Sequence, residues 1–374
     1  MASRLVVDSR DGWLTPGSAS DPRLFHADPS DRILLYPAGV GEGYRQYITL
    51  SDDLTLVIMN YIIQREVVIN GAIDAEIGAK FEFPIINRSG EANGAGQCSR
   101  FFPIFGSNRV GAMPNAQPVL ELEVIFRGYG SLLSYFQTCI ERYPPHAQEV
   151  AMAVVRYWWQ KQGGRAELSP DAIARRVQTR LERGSPVFND DCDDSAMPDR
   201  LYMSMLDVMY ANCTTITPEM AAIVGQILSC PYRGQTRRQH LQQKALELVA
   251  LRIESIATPT LRPDDLDCIY RAAAILRSDL VRPPSIESLA RQAHTNRLKL
   301  NQGFHAVYGT TPYQYLRDSR LWMAQRLLAT STLSVGKIAT AVGYSSRNHF
   351  AKAFRNQTGL NPKLFQMQAW PEAS

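Results

Sequence analysis

The pattern of apolar and polar residues changes about one third of the way along the chain. Residues 119–126, VLELEVIF, alternate Leu, Leu, Val and Phe with two glutamates, which predicts a strand with one buried face. Residues 44–50, 54–62 and 80–86 are rich in β-branched and aromatic side chains and lie between turn formers. The first third is therefore predicted to be a small β-barrel or sandwich with an apolar interior.

From about residue 130 the apolar positions follow helical spacing. Helices are predicted at residues 171–183, 200–212, 217–229, 235–257 and 264–280. In the longest of these, Leu246, Val249, Ile253 and Ile256 recur at spacings of three, four and three. This stripe fits either core packing or a dimer seam.

The C-terminal part contains a repeat with an offset of about fifty residues. Ser285 is predicted to cap a helix, a turn follows at residues 294–295, and Asn296 caps a second helix. In the second copy Gly343 makes the turn and Ser346 caps. The apolar positions that this pattern buries are Ile286, Leu289, Ala290, Ala293, Leu300 and Phe304 in the first copy, and Val335, Ile338, Ala339, Val342, Phe350 and Phe354 in the second. A helix, a tight turn and a capped basic helix predict a helix-turn-helix motif in each copy.

The remaining positions of each second helix point outward and carry groups that read DNA. Asn and Gln pair with adenine, Arg and Lys with guanine, and apolar groups contact the thymine methyl. The candidate base-contacting residues are Leu298, Asn301, Gln302, Arg347, Asn348, His349, Ala351 and Lys352, and the candidate cap or phosphate residues are Asn296, Arg297 and Ser346. Residues 313–330 between the copies have helical spacing, and one helix there would hold the two motifs at a fixed separation.

The positive charge of residues 285–374 predicts a polyanionic partner for this part of the chain. Residues 285–374 contain eleven Lys or Arg and three acidic residues, a net charge of +8, whereas the whole chain carries +4. Residues 1–284 are therefore slightly acidic, and double-stranded DNA is the predicted partner of the basic part.

These motifs resemble the DNA-binding domain of the AraC/XylS family of bacterial transcription regulators. The resemblance covers residues 264–365 and rests on SLARQAHTNRLKLNQGFHAVYGTTPYQYL, on Arg320, Leu321 and Ala324, and on IATAVGYSSRNHFAKAFRNQTGLNP. The chain departs from the family pattern in having Asn296 where a Ser usually caps, and Gln302 and Lys352 where Arg is common. The resemblance implies a transcription factor that contacts RNA polymerase. A homodimer is also expected, held together upstream of residue 263 with the 235–257 helix as the first candidate, because the 3-4-3 stripe lies there.

A second segment, residues 229–251, is similar to the region before the DNA-binding domain in PchR-type regulators, which respond to ferric siderophores. That similarity implies control by a small-molecule effector such as an iron–siderophore. No resident cofactor or metal site is predicted, so iron would arrive already chelated. Tyr47, Phe81, Phe83 and Arg127 are chemically suitable effector contacts, although each of them equally suits a core.

The predicted fold is α+β with several domains. A β-rich effector domain spans residues 1–128, a helical connector and dimerisation region spans 129–260, and an all-α double helix-turn-helix domain spans 264–374. The Pro-rich break at 258–263 marks the last boundary.

Other classes of protein are weaker alternatives. The chain has no nucleophile elbow, HExxH or P-loop sequence, so an enzyme fused to a DNA-binding tail is disfavoured, as is a ligand-independent architectural protein. The six scattered cysteines form no CxxC and are expected to be reduced thiols, with nothing selecting a redox sensor among them. The start of the chain does not resemble a signal peptide, and the apolar stretch 54–69 is interrupted by polar residues. A cytoplasmic location without a membrane span is therefore expected.

Overall fold

The computed structural model describes residues 5–65, 67–72, 77–86, 98–105, 108–113, 118–161, 197–256 and 261–369. Within these ranges the chain forms two compact units that alternate along the sequence. The first, here called the β unit, contains the described residues up to Arg142 together with Asn212–Ile256. The second, here called the helical unit, contains the described residues of 143–165, 192–211 and 257–374. Residues 129–260, grouped as one connector by sequence, are thus shared between the two units.

Strands dominate the first part of the β unit, as the apolar alternation predicts. They are β1 (Leu5–Ser9), β2 (Thr15–Pro16), β3 (Arg32–Leu35), β4 (Gly41–Thr49), β5 (Leu54–Ile63), β6 (Val67–Ala72), β7 (Ile77–Ile86), β8 (Cys98–Phe105), β9 (Asn108–Met113), β10 (Pro118–Arg127) and β11 (Thr214–Thr215). They form a sheet of order β11-β8-β7-β10-β5-β4-β3-β2 and a smaller sheet of order β1-β6-β9.

Strand β10 contains the predicted strand 119–126, but both of its faces are buried. It pairs antiparallel with β5 and β7, so it lies in the middle of the large sheet. Leu122 and Val124 are completely buried on one face, while Glu121 and Glu123 on the other face are only 3% and 1% exposed. The expectation of a single buried face is wrong because the smaller sheet covers the second face: Val67 of β6 packs in one cluster with residues of β5.

The helices follow in chain order. They are α1 (Tyr129–Arg142), α2 (Pro145–Lys161), α3 (Asp199–Ala211), α4 (Pro218–Leu228), α5 (Gly234–Glu254), α6 (Pro263–Ser278), α7 (Ile286–Gln292), α8 (Arg297–Tyr308), α9 (Pro312–Thr330), α10 (Val335–Ala341), α11 (Arg347–Thr358) and α12 (Pro362–Ala369). The predicted helices at 200–212, 217–229, 235–257 and 264–280 correspond to α3 to α6, and the predicted helix at 171–183 lies outside the described residues.

The 3-4-3 stripe of α5 is part of the core of the β unit. Val249, Ile253 and Ile256 are at most 8% exposed within the single chain, and Leu246 alone is 42% exposed. Because three of its four side chains are already covered, the stripe is core packing and is not a seam open to a second chain.

Two cysteines depart from the expectation of reduced thiols. Cys98 at the start of β8 and Cys213 next to β11 form a disulfide, with their Cα atoms 5.6 Å apart. The residues are 115 positions apart, and the pairing of β11 with β8 brings them together. The free cysteines in the described residues are Cys139, Cys230 and Cys268, while Cys192 lies outside them. Among the described helices, none has the length and apolar character needed to cross a membrane.

Candidate DNA-binding surface

The first motif is built by local capping and an apolar seam. The Ser285 side chain accepts a hydrogen bond from the Ser288 N–H at the start of α7, and Asn296 accepts one from Lys299 at the start of α8. Between these helices His294 adopts a left-handed conformation with φ of 58°. Leu300 and Phe304, one turn apart on α8, are completely buried.

The second motif repeats the first with matching residues at each step. Ser334 caps α10, and Ser346 accepts a hydrogen bond from His349 N–H at the start of α11. Gly343, with φ of 87°, occupies the turn position that His294 holds in the first copy. A side chain at Gly343 would place its Cβ 2.4 Å from the Leu280 carbonyl oxygen, so this turn requires glycine for space as well as for φ.

The Gly-x-x-Pro ending of each copy joins one helix to the next. Gly309 ends α8 with φ of 63°, and Gly359 ends α11 with φ of 78°. Pro312 and Pro362 then occupy the first positions of α9 and α12. The N–H at the first helical position makes no intrahelical hydrogen bond, so proline costs the helix nothing there. The repeated spacing therefore fixes where α8 and α11 end.

Helix α9 contributes to the apolar cores of both motifs. Leu316 packs with Leu300 and Phe304 of the first motif, while Leu321 packs with Phe350 and Phe354 of the second. A single continuous helix of 19 residues thus links the two cores. A continuous helix that packs into both cores holds the two motifs at a fixed separation.

The candidate base-contacting residues lie on the accessible sides of α8 and α11. Six of these side chains are exposed: Leu298, Gln302, Arg347, Asn348, His349 and Lys352. The other two, Asn301 and Ala351, are half-buried. Leu298 is 67% exposed, so most of this apolar side chain is open to a partner. All eight side chains remain accessible to a partner, in contrast to the fully buried phenylalanines on the same helices.

Some candidates of the first motif are engaged within the motif itself. Asn301 donates a hydrogen bond from Nδ2 to the Arg297 carbonyl oxygen at 3.1 Å, and the Arg297 guanidinium lies 3.3 Å from the Glu287 carboxylate. Asn296 and Ser346 use their side-chain oxygens as helix caps. These caps use only acceptor oxygens, and a phosphate needs a donor such as Asn296 Nδ2 or the Ser346 hydroxyl, so a phosphate contact by either residue stays a prediction.

A buried carboxylate that sequence reasoning missed connects the connector helices to the first motif. Asp207 of α3 accepts hydrogen bonds from Arg277 of α6 at 2.7 and 2.8 Å and from the Tyr315 hydroxyl of α9 at 2.7 Å. His146 Nε2 of α2 lies 3.0 Å from the same carboxylate. Burial raises the pKa of Asp207, but the His146, Arg277 and Tyr315 contacts outweigh it and leave the pKa below its ordinary value. No short motif marks Asp207, because its contacts come from distant segments.

The predicted effector contacts are not brought together in the β unit. Phe81 pairs with Val124 and lies on the same face of the sheet. Tyr47 pairs with Val57, which pairs with Glu123, so Tyr47 lies on the opposite face. Phe81 and Phe83 are completely buried, and the Phe81 ring packs edge-on against Tyr135 of α1, so this face of the sheet forms core against that helix.

The other two predicted contacts lie apart from these phenylalanines. The Tyr47 hydroxyl donates to Asp11 Oδ2 at 2.6 Å, and the half-buried Arg127 lies at the end of β10. An effector contact by any of the four residues stays a prediction.

The interior face that carries Tyr47 is charged, which the sequence pattern did not indicate. Glu123 Oε1 accepts from Arg10 at 2.5 Å and lies 3.5 Å from the Lys80 ammonium, which also lies 3.0 Å from Glu82. Carboxylate oxygens of Glu82, Glu121 and Glu123 lie within 4.8 Å of one another. Burial raises the pKa of Glu123, and the positive charges of Arg10 and Lys80 outweigh that effect and lower it. The expected apolar interior is thus interrupted by a buried ionic network in which protein cations offset the clustered acids.

Comparison with known proteins agrees with both parts of the architecture. Residues 41–266 match the family model of the regulatory protein PchR N-terminal domain, and residues 289–368 match that of a helix-turn-helix domain. The regulatory protein PchR of Pseudomonas aeruginosa is 35% identical over 123 residues, which cover 31% of this chain and 42% of that protein. The HTH-type transcriptional regulator AlkR of Acinetobacter baylyi is 38% identical over 101 residues, covering 27% and 33%.

A solved AraC-type transcriptional regulator from Chromobacterium violaceum is 26% identical, with a TM-score of 0.27, and covers 28% of this chain and 95% of that one. The matched region spans less than half the length of either curated relative. The PchR N-terminal model alone matches more than half of this chain. The chain therefore belongs to the PchR-type regulators of the AraC/XylS family.

Proposed function

We propose that this protein is a sequence-specific, DNA-binding transcription regulator whose activity is controlled by a small-molecule effector. The observation that carries the proposal is the pair of capped helix-turn-helix motifs, each with a buried apolar pair and an exposed row of hydrogen-bonding side chains. The +8 charge of residues 285–374 supplies the attraction to the phosphate backbone.

Recognition by both motifs would place α8 and α11 in major-groove segments on one face of the duplex, about 34 Å apart. Asn348 and Arg347 are then base-reading residues of one segment, and Leu298 meets a thymine methyl in the other. Selection of binding sites from random DNA should yield a site with two preferred segments at that separation.

The test of base reading compares single arginine variants on the selected site and on single-base variants of it. Arg347→Ala should lower affinity by roughly 1–3 kcal/mol and relax preference at one base position. The matched control is Arg271→Ala, which removes an exposed arginine of α6 outside both motifs. A uniform loss by Arg347→Ala on all DNA sequences would reduce this residue to a phosphate contact. Binding of every sequence with equal affinity would favour an architectural protein instead.

Control by an effector is supported by the match to the PchR N-terminal domain and by the size of the β unit, which exceeds what tethering a DNA-binding domain requires. An iron–siderophore is the first ligand to test. Titration with ferric siderophore, free iron and iron-free siderophore should change tryptophan fluorescence and operator affinity only for the ferric complex. Trp13 packs against Tyr36 in the β unit and can report binding there. If no ligand changes either signal while the DNA is still bound specifically, the siderophore assignment fails and the regulator assignment remains.

Homodimerisation and contact with RNA polymerase complete the proposal. Since the α5 stripe is covered, a dimer interface within residues 1–263 would have to use another surface. Sedimentation of that fragment at tens of micromolar is the test, and a monomer would overturn this location of the interface.

A further inference from the structure

The Cys98–Cys213 pair lies at the start of the last segment that the chain contributes to the β unit. Helix α3 ends at Ala211, and Asn212 is the first residue of this last β-unit segment. Cys213 follows directly and is joined to Cys98 at the first position of β8. The bond therefore ties residues 212–215, here called the entry segment, to β8 within the β unit.

Contacts that do not involve sulfur hold the two cysteines close together. Thr214 and Thr215 pair with Ser99 and Cys98 in the sheet, and the hydroxyls of Ser99 and Thr214 lie 2.7 Å apart. Asn212 accepts from the Phe101 N–H at 3.1 Å and donates to the Phe101 carbonyl oxygen at 2.7 Å. These bonds do not depend on the oxidation state of sulfur, so they keep the thiols in reach of each other after reduction.

The buried Arg252 of α5 supports the same segment. Its Nη2 donates to both the carbonyl oxygen and the Oδ1 of Asn212 at 2.7 Å. Asn212 is thereby held from two directions, and the position of Cys213 next to it is fixed by the fold. A Cα separation of 5.6 Å is the usual one for a disulfide.

The pair is also more accessible than two of the other cysteines. Cys98 and Cys213 are both half-buried, whereas Cys139 and Cys230 are buried. Burial raises the pKa of the Cys139 thiol to about 11, which keeps it protonated and unreactive. Of these four cysteines, the Cys98–Cys213 pair is therefore the more open to a small oxidant.

We propose that Cys98 and Cys213 form a reversible thiol–disulfide modification site, oxidised by hydroperoxides and reduced by dithiols, that locks the entry segment 212–215 onto β8. One thiolate attacks the peroxide, so that an S–O bond forms, the O–O bond breaks and hydroxide leaves, which takes up the proton that the thiol lost and becomes the first water. The second thiolate attacks the sulfenic sulfur, so that the S–S bond forms, the S–O bond breaks and hydroxide leaves, which takes up the proton of the second thiol and becomes the second water. Two thiols and one hydrogen peroxide thus give one disulfide and two waters. A dithiol reverses the bond by exchange and is itself oxidised.

The experiment counts thiols in the full-length protein after reduction and then after treatment with hydrogen peroxide. The reduced chain has six thiols. Peroxide should remove two of them and lower the intact mass by about 2 Da, the mass of two hydrogens. Peptide mapping should find the Cys98–Cys213 crosslink, and dithiothreitol should restore all six thiols. Retention of six thiols, a crosslink elsewhere, or stable sulfinic acid at either residue would overturn the proposal.

Matched variants assign the reaction to the pair. Cys98→Ser and Cys213→Ser should each abolish the two-thiol loss, while Cys268→Ser, at a half-buried cysteine of the helical unit, should still lose two thiols. Equal losses in Cys98→Ser and the wild type would refute the assignment. Should either variant fail to fold, the peptide map of the wild-type protein still decides the question.

Hydrogen exchange tests the locking. Amides of residues 212–215 should exchange more slowly in the peroxide-treated protein than in the reduced protein, with β5 amides unchanged as the internal reference. Equal exchange in the two states would show that the bond adds no constraint. Neither measurement uses DNA, so a failure here is separate from a failure of the proposed function.

Discussion

Replacement of Asp207 by asparagine tests whether the connector helices are locked to the DNA-binding motifs by one buried carboxylate. The substitution keeps the size of the side chain but removes its charge. Arg277, whose side chain is 8% exposed, would lose its carboxylate partner, and the Tyr315 hydroxyl would lose its charged acceptor.

The magnitude follows from the burial of both partners. Asp207 is 3% exposed, so solvent cannot replace the lost interaction. Removing one member of a buried ion pair costs about 3–5 kcal/mol because the other charge stays buried. Since whole domains are stable by about 5–15 kcal/mol, Asp207→Asn should remove a large share of the stability of the helical unit.

Urea unfolding followed by tryptophan fluorescence is the assay. Trp322 of α9 stacks on Tyr202 of α3, so its emission reports separation of these helices. The matched control is Asp267→Asn, an exposed aspartate of α6, which should change stability by less than about 0.5 kcal/mol. If Asp207→Asn is no more destabilising than this control, the carboxylate does not hold α3 to the motifs.

Three further predictions follow from individual contacts. The pKa of Asp207 is lowered in the folded protein, so its contribution to the free energy of unfolding is present above the ordinary aspartate pKa and is lost as pH falls through the lowered, folded-state pKa. The stability of the wild type should therefore fall more steeply with decreasing pH than that of Asp207→Asn. Ile253→Ala should cost about 2–5 kcal/mol without changing the sedimentation coefficient, whereas Leu246→Ala should be nearly neutral in stability; a change of oligomeric state by Ile253→Ala would restore the dimer-seam interpretation. Gly303→Ala should destabilise the first motif by about 1–3 kcal/mol in thermal unfolding, because the new Cβ would lie 2.3 Å from Ile269 Cδ1, and a stabilised variant would show that Ile269 moves aside freely.

The two helix-turn-helix motifs could be predicted from the sequence because their determinants are local. Ser285, Asn296 and Ser346 cap helices through bonds to residues three positions ahead, and the glycines of Gly-x-x-Pro end helices through their own φ angles. The buried pairs on α8 and α11 follow from one-turn spacing alone. Sequence therefore determined which side chains of these helices are buried and which are accessible.

Only the tertiary structure decided the interactions between residues that are far apart in the chain. The alternation in β10 indicated a strand, but it could not show that a second sheet covers Glu123 or that Arg10 and Lys80 neutralise it. Spacing could not join Cys98 to Cys213 or bring Asp207 to Arg277, because neither pair shares a helix or a hairpin. A periodic pattern reports the direction of a side chain relative to its own backbone. Which segment lies opposite is fixed by how sheets and helices pack, and that depends on the whole chain at once.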